Sequence, residues 1–110
     1  HLRELKALLS SKRDFLVSLL ANPNLLEHQR FANLLWATFH LAEELSYRDH
    51  LDGLPLADQQ HLAVDMRRAY QHLLAEWVHY LWHLKENYPY LYSLALRTNP
   101  FDLAACVEIA

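Results

Sequence analysis

Between Asp58 and Asn87 the chain runs for thirty residues without a glycine or a proline. A stretch of that length cannot fold into strands without turn residues to reverse it, and glycine and proline are the strongest of these. Its apolar side chains, Leu62, Met66, Tyr70, Leu73, Trp77, Tyr80, Leu81 and Leu84, recur in steps of three and four, the spacing of one helix face. The stretch therefore predicts a single helix over 58–87, about 45 Å long at a rise of about 1.5 Å per residue. One glycine, Gly53, and four prolines in 110 residues leave too few turn formers for an all-β domain.

The same spacing appears upstream. Leu2, Leu5, Leu8, Leu9, Leu16, Leu19 and Leu20 predict a first helix over 2–21. Asn22-Pro23-Asn24 ends it, because proline disfavours helical geometry just before itself. Asn24 with Glu27 three residues on reads as a capping box for a second helix over 25–48. On that helix Phe31, Leu34, Leu35, Phe39, Ala42 and Leu45 share a face, and Gln29, Trp36, His40, Glu44 and Tyr47 lie opposite. Pro89 opens a short helix over 90–97, which Thr98-Asn99-Pro100 stops. No helical period follows Phe101. The expected architecture is all-α: one domain over 1–110, an antiparallel three-helix up-down-up bundle with a short fourth helix and an extended C-terminal tail.

Composition narrows the function classes. Hydrophobic residues at 53% argue against disorder. Ten basic against thirteen acidic side chains leave no surplus to neutralise a run of phosphates, so nucleic acid is not an expected partner. Cys106 stands alone, which excludes an intramolecular disulfide and leaves a thiolate zinc site unsupported. Within Ala104–Val107 it reads as an inert small hydrophobe, and a reduced, cytoplasmic setting is the default. No apolar run nears the roughly 18 residues of a bilayer span, and no signal peptide is visible. The opening His1, in place of Met, gives the expectation of a fragment or a processed chain, with any membrane contact made by segments outside it. Ser10, Ser11, Ser18, Ser46 and Ser93 carry no nucleophile signature, and no glycine-rich phosphate loop is present. The chain is read as a non-enzyme with no cofactor.

The chemically richest feature is a polar stripe on the third helix. His61, Asp65, His72, Glu76, His79 and His83 align at helical spacing, and pairs four apart are close enough to share a metal. Glu76-x-x-His79 also matches half of a di-iron helix element. The second half is missing, since His40-x-x-Glu43 runs in the reverse order. The stripe centres about 120° from the apolar face, so it is expected to face out of the bundle and be solvated. His72, Glu76, His79 and His83 are the metal-ligand set of the alternative reading. A contact that titrates near the histidine pKa of about 6.5 is the third. His40 with Glu43 and Glu44 reads as an ion pair across one turn.

Aromatic and apolar groups outside the core arcs form a second candidate. Trp36 and Tyr47 on the second helix, and Val64, Val78 and Trp82 on the third, exceed what a small three-helix core needs. Either the tail or the fourth helix covers them or they form an interface, and a homodimer is then the simplest assembly. Tyr88-Pro89-Tyr90-Leu91-Tyr92, continuing to Arg97-Thr98-Asn99-Pro100-Phe101-Asp102, reads as a structural corner in which Arg97 pairs with a carboxylate, with a recognition loop as the alternative.

Three strings carry a family resemblance: Asn22-Pro-Asn-Leu-Leu-Glu-His28, Leu35-Trp-Ala-Thr-Phe-His-Leu-Ala-Glu-Glu-Leu45, and Tyr88-Pro-Tyr-Leu-Tyr-Ser-Leu-Ala-Leu-Arg-Thr-Asn-Pro-Phe-Asp102. They resemble the soluble C-terminal region of prokaryotic two-transmembrane, ion-channel-like membrane proteins. The resemblance implies a cytoplasmic assembly or regulatory domain and brings no functional residues with it. The leading expectation is a non-enzymatic helical domain that mediates self-association or regulation of a larger, membrane-embedded protein. Metal or ligand binding by the third-helix stripe is the alternative.

Overall fold

The computed structural model describes residues 1–109, which are helical with connecting turns and contain no strand. Among them the helices are α1 (Leu2–Ser11), α2 (Arg13–Leu20), α3 (Pro23–Leu26), α4 (Gln29–Ser46), α5 (Leu56–Asn87) and α6 (Pro89–Arg97). The chain divides inside α5 into two compact units, His1–Leu74 and Ala75–Ala110.

The expected first helix is broken into α1 and α2 at Lys12 (φ −103°, ψ 5°). The Leu8 carbonyl explains the break. It accepts from the Ser11 hydroxyl at 2.6 Å and also from the Lys12 N–H at 3.2 Å, and that N–H is shared with Leu9 O. Serine hydroxyls that bond back onto the preceding turn bend helices in this way. The expected second helix also starts later. Asn22, not Asn24, is the cap: its Oδ1 accepts from Asn24 N at 3.0 Å, Pro23 takes the first helical position, and the resulting turn is α3. α4 then begins at Gln29. α5 starts two residues before its expected boundary because the Pro55 carbonyl accepts from both Asp58 N and Gln59 N, each at 3.0 Å. Gly53, in the loop before it, has φ +69°, a conformation that glycine adopts without a Cβ penalty.

The core of the first unit is Ala37, Leu41 and Leu45 of α4 against Leu62 and Ala69 of α5, with Leu2, Leu5 and Leu9 of α1 packed on it. Leu45 and Leu62 are fully enclosed, each worth about 1.5–3 kcal/mol of burial. Lys6 Nζ reaches across from α1 to cap the Arg48 carbonyl at 2.6 Å. One charged residue belongs to this core: Asp65, 3% exposed. The buried arc of α5 here centres near Ala69, about 80° from the midpoint of Leu73 and Leu81. Tyr70 and Leu73, assigned to the core face by their spacing, are about half exposed.

The second unit holds the last turns of α5, α6 and the segment after Arg97. Among its described residues, Leu84 is the buried one. The Trp77 ring lies 5.9 Å from Tyr80 and 6.0 Å from Phe101, and Lys85 Nζ sits 5.1 Å over the Trp82 ring. The C-terminal segment is made of turns rather than extended chain: Asn99 Oδ1 accepts from Phe101 N, and Asp102 Oδ1 from Ala104 N. Among the described residues, the partners of Arg97 do not include the expected carboxylate. Arg97 donates to the Val107 carbonyl at 2.6 Å and to Ser93 Oγ at 3.4 Å. Cys106 is exposed.

Candidate functional site

Two helix turns face each other in the first unit. α4 presents His40 and Glu44, α5 presents His61 and Asp65, and each pair is four residues apart on one face. His40 Nε2 lies 3.5 Å from Glu44 Oε1 and 3.2 Å from Asp65 Oδ2. His61 Nε2 lies 3.0 Å from the same Glu44 oxygen and 3.3 Å from the same Asp65 oxygen. One ligand-type atom from each of the four residues falls within 4.8 Å of the other three. The histidines are about half exposed, so the cluster opens to solvent on their side and is closed by Asp65 beneath.

Arginines hold the outer oxygens of both carboxylates. Arg48 donates to Glu44 Oε2 at 2.8 Å, and forks onto Asp58 through Nε at 2.7 Å and Nη2 at 2.5 Å. Arg68 donates to Asp65 Oδ1 at 2.9 Å. Arg48 holds the Glu44 and Asp58 carboxyls below the usual carboxylate range, with His61 adding to the effect on Glu44. The Arg48 guanidinium is itself pushed up, first by Asp58 and then by Glu44. Glu44, and after it Asp65, raise the His61 imidazole above its ordinary value.

A second feature of the same unit is apolar. α1, α2, α4 and α5 border a crevice of about 680 Å³. Leu8 and Leu9, Leu16 and Leu19, Phe31 and Leu35, and Met66 and Leu73 line it, with Thr38 and Arg67 among its few polar borders. Leu8 is 55% exposed and Tyr70 52%. These are the side chains that the periodicity assigns to a packed core.

The residues singled out by sequence are distributed differently. Among the described residues, the His, Cys, Asp and Glu side chains that converge in a group of three or more are His40, Glu44, His61 and Asp65. The stripe set His72, Glu76, His79 and His83 is not such a group. His72 borders a shallow pocket with Trp36, His40 and Arg68, and His79 and His83 are exposed residues of the second unit. The stripe contributes only His61 and Asp65, and the turn His40–Glu44 supplies the other half. A sequence signal did exist: His40-Leu41-Ala42-Glu43-Glu44 and His61-Leu62-Ala63-Val64-Asp65 both read His-Leu-Ala-x-acid. Trp36, Tyr47, Val64, Val78 and Trp82 are all substantially exposed, Tyr47 most of all at 82%.

Among the described residues, no helix is long and apolar enough to cross a membrane. No solved structure matches the chain. A curated relative, "Uncharacterized protein MJ1433" of Methanocaldococcus jannaschii, is 54% identical over 101 residues, which is 92% of this chain and 41% of the relative. The chain thus spans less than half the length of that relative, and neither comparison points to an ion-channel-like membrane protein. A family model described as the C-terminal helical domain of uncharacterized protein MJ1433 matches residues 1–97. On that match, and on the identity beside it, the chain belongs to the family of the MJ1433 C-terminal helical domain.

Proposed function

We propose that this domain is a non-enzymatic assembly module that pairs with a second copy of itself through the apolar crevice of its first unit. The carrying observation is the crevice: about 680 Å³ bordered by four helices, nearly all of it aliphatic or aromatic. An uncovered surface of that character marks an interaction site. The occupant is supported by what lies beside it. Leu8 and Phe15, 55% and 60% exposed, stand out from α1 and α2, so the molecule carries both a crevice and projecting apolar groups to offer one. A two-fold pairing needs that kind of self-complementary patch, and a net charge of only −3 sets up little repulsion between copies. The relative is more than twice as long as the matched segment, so in a longer protein such pairing would bring together whatever the module is attached to.

Light scattering coupled to size exclusion tests the reading. The expected result is a dimer that Leu8→Asp weakens by at least about tenfold, or about 1.4 kcal/mol, with helix content unchanged by circular dichroism. A wild-type chain that stays monomeric at every concentration examined rejects pairing through the crevice.

A further inference from the structure

We propose that His40, Glu44, His61 and Asp65 form a binding site for one divalent first-row transition ion, held between α4 and α5 within the first unit. The geometry fits a metal. Four ligands at about 2.0–2.2 Å from a tetrahedral centre are separated from one another by about 3.3–3.6 Å. The four histidine-to-carboxylate separations are 3.0, 3.2, 3.3 and 3.5 Å. The remaining two separations lie within 4.8 Å, so closing the four atoms onto one ion requires the half-exposed imidazoles and the carboxylates to draw together.

Hydrogen bonding alone accounts for the cluster poorly. Each Nε2 carries at most one proton, yet each faces two carboxylate oxygens. Two protons serve at most two of the four contacts, so half of these close approaches have no hydrogen between them. The shortfall falls on Asp65. Its carboxylate is 3% exposed, and Oδ2, the oxygen aimed between the two imidazoles at 3.2 and 3.3 Å, receives no well-directed hydrogen bond from either. A buried carboxylate oxygen left in that state is costly, and a cation at the convergence point removes the cost.

The surroundings are those of a prepared ligand set. The oxygens facing away from the cluster, Glu44 Oε2 and Asp65 Oδ1, are held by Arg48 and Arg68. Outer partners of this kind fix ligating carboxylates and tune metal affinity. With Asp58, three carboxylates stand against two guanidiniums, a balance that admits a positive charge. Two imidazoles and two carboxylates without a thiolate suit zinc, cobalt, iron or manganese rather than copper(I), while the nitrogen pair disfavours calcium and magnesium.

Cobalt(II) titration of the metal-free chain, purified without an affinity tag, tests the site. One equivalent is expected to bind with the intense visible absorption of a four- or five-coordinate ion, and zinc should displace it. His40→Gln and His61→Gln should each weaken binding by at least about tenfold, a lower bound given that losing even an outer partner costs about 10–100-fold. His79→Gln, outside the cluster, should bind as the wild type does. Glu44→Gln keeps the side-chain shape and should weaken binding while circular dichroism shows the fold intact. The proposal is overturned if the wild type gives neither a cobalt spectrum nor a thermal shift with zinc. It is equally overturned if the His40 and His61 variants keep wild-type affinity, or if His79→Gln loses it.

Discussion

Leu62 is 1% exposed and meets Leu41 and Leu45 at the centre of the first unit. Truncation there leaves a cavity, so Leu62→Ala should cost about 2–5 kcal/mol in urea denaturation. Leu91, 39% exposed, should cost far less on the same change. The Arg48–Asp58 pair sets an acid limit. Asp58 is held below its ordinary value in the folded chain, so the unfolded chain takes up its proton first. The stability from this pair is then complete above the unfolded pKa of about 3.9 and is lost as pH falls through the lower folded value. In the metal-free protein, Arg48→Met should reduce that part of the drop in urea midpoint between about pH 5 and pH 2. An unchanged drop would show that the pair does not supply it. Asp65 was hard to read from sequence. Helical spacing puts it on the His61–His83 stripe, and the mean direction of the apolar side chains faces that stripe outward. But Tyr70 and Leu73 line the crevice, so the apolar arc of α5 is wider than its buried arc and is centred away from Asp65.

Helix existence was legible wherever leucines recur at steps of three and four, and α4, α5 and α6 fall close to their expected places. Boundaries depended on local competition for carbonyls, which periodicity does not register. Ser11 and Lys12 both claim the Leu8 carbonyl and split one helix into two. Asn22 caps at the position where the Asn24–Glu27 pattern suggested a later start. Asn22→Ala should therefore cost about 1 kcal/mol, while Asn24→Ala, which leaves the capping oxygen in place, should cost little. Gly53→Ala meets no neighbouring atom within 4 Å, so its cost comes from the left-handed backbone alone, about 1–2 kcal/mol. A loss well beyond that in denaturant titration would mean that the loop does more than connect α4 to α5.

At the scale of the whole molecule, the all-α class followed from one glycine, four prolines and the unbroken run after Asp58. The crevice did not, because it depends on how α1 and α2 are placed once the helix breaks at Lys12, and periodicity carries no signal of that. If the crevice pairs two chains, the thermal midpoint should rise with protein concentration, since association favours the folded state by mass action. Leu8→Asp should flatten that dependence. The half-sites on α4 and α5 carry one more implication. Each is a histidine followed four residues later by an acid, and both acids are tied to arginines. Sliding α5 along α4 by one turn, about 5.4 Å, would part His40 from Asp65 and His61 from Glu44 together. The cluster thus acts as a gauge of axial register between the two helices, and an ion bound there would serve as the pin that locks it.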